Sequence, residues 1–214
     1  MSEEYEELIK RLLEIFDLAW NGPNKDQVRE QFDRFLKHSN KTIQNLTVIN
    51  KVLTKAELDT KERCLMLSFF YLVSVEGGFA NHADLVCFLL VSQEHDLYNY
   101  YKREYVTANM DDIKEVDLYT KIQFLENHNL ASFTKICDRK LRNCIAHHDF
   151  EIDETGKILI DNSAIDVEEK NMQLISFLNL TKNIFVGSRI AQRKTTKDEK
   201  LSELRSFLQA RRRI

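Results

Sequence analysis

The stretch RNCIAH, residues 142–147, separates an arginine and a histidine by four residues and places an asparagine directly after the arginine. A neutral imidazole can remove a proton from a ribose 2′-hydroxyl near neutral pH. A guanidinium can hold a phosphate bidentately and stabilise the charge that builds up on it. Arg142 and His147 therefore supply the groups that metal-free phosphodiester cleavage needs. Asn143 can orient the phosphate or the imidazole by hydrogen bonding.

The residues R-N-x-x-A-H resemble the R-x4-6-H motif of the HEPN superfamily, all-helical domains often found as ribonuclease toxins or antiviral effectors. Asn143 after the arginine and small Ala146 before His147 add to the likeness of spacing. The resemblance covers about residues 59–190. It implies a HEPN-like helical bundle acting as a metal-independent endoribonuclease that leaves 2′,3′-cyclic phosphate and 5′-hydroxyl ends. It also implies a homodimer and an antitoxin or nucleotidyltransferase partner that silences the nuclease.

The motif is predicted to lie on an amphipathic helix over residues 132–147. In an unbroken helix Arg142 and His147 would point about 140° apart, too far to grip one phosphate. They converge if the helix loosens near His147, or if a two-fold dimer brings both motifs to one cleft. Arg139, Asn143 and His147 share a stripe away from the apolar side.

Three further residues near the motif receive predicted roles. His148 projects onto the apolar side if the helix persists, so we assign the base to His147 and a supporting, core position to His148. Arg139 and Lys140 are predicted to contact RNA.

Two carboxylates could support the motif. Glu76 interrupts the most apolar helix of the chain, and a carboxylate there is costly unless it is paired. It could orient Arg142 or His147, or it could lie in an exposed turn with the two glycines that follow it. Asp138 supports a competing, structural interpretation of the motif. In that interpretation Arg142 pairs with a carboxylate such as Asp138, four residues earlier, and His147 caps the helix C-terminus through the helix dipole.

The composition predicts an all-α fold. With 5 Gly and 1 Pro the chain has few of the turns that most β folds need. Helical periodicity is found over residues 5–19, 28–36, 43–56, 111–125, 132–147, 168–190 and 197–211. A capping box at residues 59–62 opens the most apolar helix, which either kinks after residue 78 or ends there. One short β-hairpin is predicted over residues 150–160, after the motif helix.

We expect three segments: an N-terminal helical extension over residues 1–58, the HEPN-like domain over 59–190, and a basic C-terminal helix over 191–214. The formal net charge is −3, which argues against a protein that coats nucleic acid indiscriminately. Residues 187–214 nevertheless carry nine basic and three acidic side chains. This tail could lie along a phosphate backbone, or its cations could be solvated at a helix end.

Other features exclude several kinds of site. The four cysteines form no C-x-x-C pair and lie in apolar or helical runs, which predicts buried free thiols in a reducing cytosol. The remaining histidines lack metal-ligand spacing and no phosphate-binding loop is present, so we predict neither a metal ion nor a cofactor. The acidic N-terminus is unlike a signal peptide, and the longest apolar run, residues 64–75, is too short to cross a bilayer. A cytoplasmic protein without membrane contact is expected.

A second function remains open on the sequence. The same helical fold could serve as a non-catalytic dimer that binds nucleic acid or a protein partner, because a fold does not fix a function. The intact set of arginine, asparagine and histidine favours the enzyme. The lack of a strongly basic surface outside the tail favours the scaffold.

Overall fold

The computed structural model describes residues 3–161 and 163–211. Helices account for 72% of the residues and strands for 6%, which confirms the all-α class. The α-helices are α1 (Glu3–Asn21), α2 (Lys25–Lys55), α3 (Thr60–Val73), α4 (Ala80–Val91), α5 (Met110–Lys114), α6 (Leu118–Asn127), α7 (Ala131–Thr134), α8 (Arg139–His147), α9 (Val167–Ala191) and α10 (Lys197–Arg211). A π-helical segment, Ser74–Phe79, joins α3 to α4. The strands are β1 (Tyr98–Asn99), β2 (Glu104–Tyr105), β3 (Glu151–Ile152), β4 (Ile158–Ile160) and β5 (Ser163–Ile165).

The described residues form two compact units. The first, here called the terminal unit, contains the residues up to Phe35, His82–Thr134 and the residues from Asn179 onward. The second, the motif unit, contains Leu36–Asn81 and Lys135–Leu178, and every predicted site residue lies in it. The boundaries of these units differ from the predicted segment boundaries after residues 58 and 190. Those segment boundaries remain a prediction.

Helix α1 organises the core of the terminal unit. Its apolar residues recur at helical spacing and are buried, and the ring of Phe16 is completely enclosed. Phe16 stacks on Trp20 and meets Phe32 of α2 edge to face, with ring centroids 5.0 and 5.3 Å away. Helix α10 approaches α9 closely at Gly187, where an added Cβ would lie 2.4 Å from Leu204. A larger residue at position 187 would therefore force the side chains of Leu204 and Phe207 to shift.

Helix α3 organises the motif unit. Its start is fixed by the predicted capping box: Asp59 accepts hydrogen bonds from the backbone N–H of Lys61 and Glu62, and Glu62 accepts one from the backbone of Asp59. Phe70 of α3 packs with Leu46 and Leu53 of α2 in a buried cluster. These contacts give α3 a fixed position from which α8 is held.

The small sheets differ from the prediction. The expected hairpin is present as the antiparallel pair β3–β4, and β5 adds a third strand along β4. The pair β1–β2 was not predicted, because each of its strands has only two residues and too little alternation to detect. Within the described residues no sheet has more than three strands.

Several helix boundaries also differ. The two predicted stretches over residues 28–56 are one helix, α2, because no glycine or proline interrupts them. The predicted helix over residues 111–125 is instead divided into α5 and α6, since the side chain of Asp117 caps a new helix start by accepting from Thr120 N–H. The motif helix is shorter than predicted, because Asp138 caps a new start at Arg139.

The most apolar helical run is longer than the sequence indicated. The π-helical segment continues the helix through Glu76, Gly77 and Gly78, so helix extends from Thr60 to Val91 over 32 residues. By length and composition this one run could cross a membrane, contrary to the expectation from residues 64–75. Half of its most apolar window is buried inside the protein, which fits the core helix of a soluble protein.

Candidate functional site

Helix α8 carries the motif and is anchored at its start. Asp138 is the N-cap, and its carboxylate accepts a hydrogen bond from Leu141 N–H at 3.0 Å. The phenol of Tyr71, on α3, accepts from the backbone N–H of Asp138 at 3.1 Å. Burial raises the pKa of Tyr71, so this phenol stays neutral. Because Leu141 and Ile145 are buried, the opposite side of α8 faces solvent.

Asp138, which the structural interpretation of the motif named as an example of a carboxylate partner for Arg142, does not pair with it. Its second carboxylate oxygen lies 3.3 Å from Nζ of Lys170, on α9. Because the carboxylate is engaged by the helix start and by this ammonium, its role is to fix where α8 begins. Tyr71 and Lys170 were not identified from the sequence, since nothing in their local pattern marks them.

The guanidinium of Arg142 is held by Glu76 and Asn143. Arg142 Nε donates to Glu76 Oε1 at 2.6 Å, and Nη2 contacts the same oxygen. Nη1 donates to Oδ1 of Asn143 at 2.8 Å. The side chains of Arg142 and Glu76 are 31% and 44% exposed, so the pair is open to solvent on one side. The predicted partner for Glu76 is therefore present, and it is Arg142.

Glu76 reaches Arg142 from the π-helical segment. A π-turn contains one more residue than an α-turn and rotates the following side chains about the axis, and such turns are frequent at functional sites. Oγ1 of Thr42 donates to the carbonyl of Gly77 at 3.1 Å. The alternative prediction placed Glu76 in an exposed turn. Its side chain is exposed, but its backbone is helical.

His147 is the last residue of α8, and its side chain is exposed. Within residues 3–161 and 163–211, its imidazole has no hydrogen-bond partner in the protein. Because α8 remains helical from Arg139 to His147, Arg142 and His147 point about 140° apart. The loosened helix that would let them converge is not observed.

His148 does not lie on the apolar side, and that prediction is wrong. Its backbone has φ of 56° and ψ of 31°, the left-handed conformation that ends a helix. The N–H of His148 donates to Ile145 O at 3.2 Å, and the N–H of Asp149 donates to Cys144 O at 2.9 Å. Since helix ends at His147, the chain turns toward β3 and leaves the His148 side chain exposed.

Arg139 and Lys140, the predicted RNA contacts, are exposed in the first turn of α8. Lys140 pairs with the carboxylate of Asp161, which raises the pKa of its ammonium. Arg139 shares the outer side of α8 with Asn143 and His147, and all three are exposed, in agreement with the predicted stripe.

An apolar strip lies on α3, the helix that leads to Glu76. Leu65 and Phe69 are four residues apart and are 52% and 54% exposed. Leu72, on the same side by the helical period, is partly buried.

Three cations of the basic C-terminal helix pair with carboxylates within the terminal unit. These cations of α10 bind carboxylates of α1: Lys197 pairs with Glu14, Lys200 with Asp17, and Arg205 with Glu6. These contacts favour a structural role over the phosphate-binding one for the three cations. Arg212 and Arg213, which belonged to the same prediction, lie outside the described residues.

The cysteines are free thiols, as predicted: Cys64, Cys87 and Cys137 are buried, and Cys144 is partly buried. Burial raises the pKa of Cys137, just before α8, to about 12, so this thiol is not a nucleophile at neutral pH. Among the residues that the structure describes, no group of three or more histidine, cysteine, aspartate or glutamate side chains could hold a metal ion.

Comparison of the chain with protein-family models, with curated proteins and with solved structures finds no match.

Proposed function

We propose that this protein is a metal-independent endoribonuclease of the HEPN type. The observation that carries the proposal is made on α8, which presents an exposed imidazole at its last residue, His147, and carries a guanidinium, that of Arg142, already held by Glu76 and Asn143. The resemblance of the motif to R-x4-6-H adds to this observation. The products would carry 2′,3′-cyclic phosphate and 5′-hydroxyl ends.

Each motif residue has a defined role in this reaction. His147 removes the proton of the attacking 2′-hydroxyl. Arg142 stabilises the negative charge on the pentavalent phosphorus centre. Glu76 and Asn143 restrict the rotation of the Arg142 side chain, so that less ordering is needed when the phosphate binds. Arg139 and Lys140 contact neighbouring phosphates of the RNA.

A homodimer would bring Arg142 and His147 side chains into one cleft, which a single helix does not do. Because α8 is unbroken, Arg142 and His147 of one copy diverge, and a two-fold axis near α8 would place the two motifs in one cleft. Leu65 and Phe69 give such an interface an apolar contact, since burying both removes them from water. Light scattering at micromolar concentration tests the dimer, and a monomer would contradict this part of the proposal.

The cellular setting follows from the resemblance. A ribonuclease of this type would act in the cytoplasm as a toxin or an antiviral defence effector. An antitoxin or a nucleotidyltransferase encoded beside it would silence it. The genes adjacent to this one test this part of the proposal directly.

One observation favours a second function, a non-catalytic helical dimer that binds nucleic acid or a protein partner. Arg142 already directs all three guanidinium nitrogens to Glu76 and Asn143. A guanidinium with so many internal contacts can serve simply to join α8 to the π-helical segment. The two functions differ in whether His147 matters for turnover.

The test is cleavage of labelled single-stranded RNAs in EDTA by the wild type, His147→Ala and Arg142→Ala. His38→Ala is the matched control, because His38 is an exposed histidine of the motif unit outside the motif. We expect His147→Ala and Arg142→Ala to be slower by about a hundredfold or more, with His38→Ala unchanged. Wild type that is inert on diverse RNAs, or His147→Ala at the wild-type rate, contradicts the nuclease proposal. RNA binding without cleavage supports the second function.

A further inference from the structure

Cleavage by a 2′-hydroxyl needs two proton transfers. One proton leaves the attacking 2′-oxygen, and one must reach the 5′-oxygen, which otherwise departs as a strongly basic alkoxide. The roles assigned above cover the first transfer, through His147, and leave the second without a donor. Attack and departure occur on opposite sides of the phosphorus, so the donor and the base are best placed as two separate groups.

His148 has the chemistry and the position of such a donor. Its side chain is exposed, and it follows His147 directly. Imidazole is the side chain whose charged and neutral forms are both accessible near neutral pH. Because His147 ends α8 in helical conformation while His148 is left-handed, the two side chains leave the backbone in different directions.

The backbone conformation of His148 is one that favours glycine, and four other non-glycine residues, Glu94, Arg103, Asn129 and Asp161, also have positive φ. A residue at this point of a helix end is most often glycine, because a side chain in the left-handed region costs about 1 kcal/mol. Here the conformation is fixed by the hydrogen bonds of His148 N–H to Ile145 O and of Asp149 N–H to Cys144 O.

The other charged groups near the motif are poorly suited to donate this proton. Arg142 has a guanidinium, which does not lose its proton in proteins. The pKa of Lys140 is raised by the carboxylate of Asp161, so its ammonium holds its proton more tightly than a free lysine does. Glu76 accepts hydrogen bonds from Arg142, so its Oε1 is already engaged by the guanidinium.

We propose that His148 is the general acid of the cleavage reaction, an inference that rests on the proposed nuclease function. The 2′-oxygen transfers its proton to the imidazole of His147 and forms a bond to phosphorus. As the bond from phosphorus to the 5′-oxygen breaks, the imidazolium of His148 gives its proton to that oxygen, which leaves as a 5′-hydroxyl. His147 ends protonated and His148 neutral, and exchange with solvent restores both.

The experiment compares two RNA substrates that are identical except at the scissile bond. One has the natural 5′-oxygen, and the other has sulfur in its place. A thiolate is a good leaving group without protonation, so the sulfur substrate does not need the acid. The variants are His148→Asn and His147→Asn, with His38→Asn as the control. Asparagine tolerates the left-handed conformation, so His148→Asn removes the imidazole without adding backbone strain.

We expect His148→Asn to cleave the oxygen substrate about a hundredfold more slowly than the wild type. On the sulfur substrate it should return to within about threefold of the wild type, because no proton is then needed. His147→Asn should be slow on both substrates, since the base is needed for either. Thermal unfolding of each variant verifies that it is folded.

Two results would overturn the assignment while leaving the nuclease intact. If His148→Asn cleaves the oxygen substrate at the wild-type rate, His148 has no part in the chemistry. If it is slow on both substrates, His148 acts at the 2′-oxygen or in binding and is not the acid. Wild type that cleaves neither substrate rejects the nuclease proposal and this inference together.

Discussion

The ion pair between Glu76 and Arg142 offers a direct test of how the motif is held. Glu76→Gln keeps the size and one acceptor oxygen of the side chain and removes its charge. Arg142 Nε lies 2.6 Å from Glu76 Oε1, and both side chains are partly exposed. If Glu76 orients the guanidinium toward the phosphate, the variant should cleave RNA more slowly.

The magnitude follows from the exposure of the pair. Solvent screening reduces partly exposed ion pairs to about 1 kcal/mol or less, and these side chains are 31% and 44% exposed. An orientation preference of about 1 kcal/mol corresponds to a population ratio of about five. We therefore expect Glu76→Gln to lower the cleavage rate about fivefold at most. The free energy of unfolding should fall by about 1 kcal/mol or less.

Glu168→Gln is the matched control. Glu168 also pairs with an arginine, Arg63, at 2.9 Å, and its side chain is 50% exposed. Its loss should lower stability by a similar amount and leave the cleavage rate unchanged. Urea denaturation measures stability, and initial rates on a labelled RNA measure cleavage. Equal rates for both variants would refute a positioning role for Glu76, and a rate above the wild type would show that Glu76 restrains Arg142 instead.

Two further predictions concern stability. Asp84→Ala should lower the free energy of unfolding by about 3–5 kcal/mol in urea titrations, because it leaves the ammonium of Lys121 unpaired where both side chains are at most 10% exposed. Replacing Lys121 by Met in that background should restore much of the loss, and no recovery would contradict the reasoning. The backbone N–H of Lys157 and the hydroxyl of Thr155 lower the pKa of Asp153. Its contribution to stability is therefore complete above the ordinary aspartate pKa of about 3.9 and is lost as pH falls through the lowered pKa. The urea midpoint of Asp153→Asn should decline less steeply below about pH 4 than that of the wild type, and identical slopes would refute the assignment.

Local sequence pattern determined much of the helical fold. The start of α3 followed from its capping box, whose partners are two and three residues apart. The outer side of α8 followed from the helical period, which makes Arg139, Asn143 and His147 exposed together. The need of Glu76 for a partner was also predictable, because a carboxylate in an apolar helix is costly without one. These features depend on neighbours within one or two turns of chain.

Tertiary structure decided which partners meet. Local spacing offered Asp138 to Arg142, four residues away, yet the guanidinium binds Glu76, 66 residues earlier. Asp138 is instead used by the start of α8 and by Lys170. The π-helical segment and the packing of α3 beside α8 are required for this choice. No sequence pattern marked either of them, because their stability depends on contacts between residues far apart in the chain.

The position of the His148 side chain, at a helix end, also could not be predicted from the local sequence pattern. The helical period placed it on the apolar side, on the condition that helix continued through it. The helix ends one residue earlier, in a left-handed turn that leads to β3. A left-handed non-glycine residue is stable only where surrounding hydrogen bonds and packing offset its cost. The sequence therefore supplied the two adjacent histidines and the outward position of His147, and only the folded chain turned His148 outward as well.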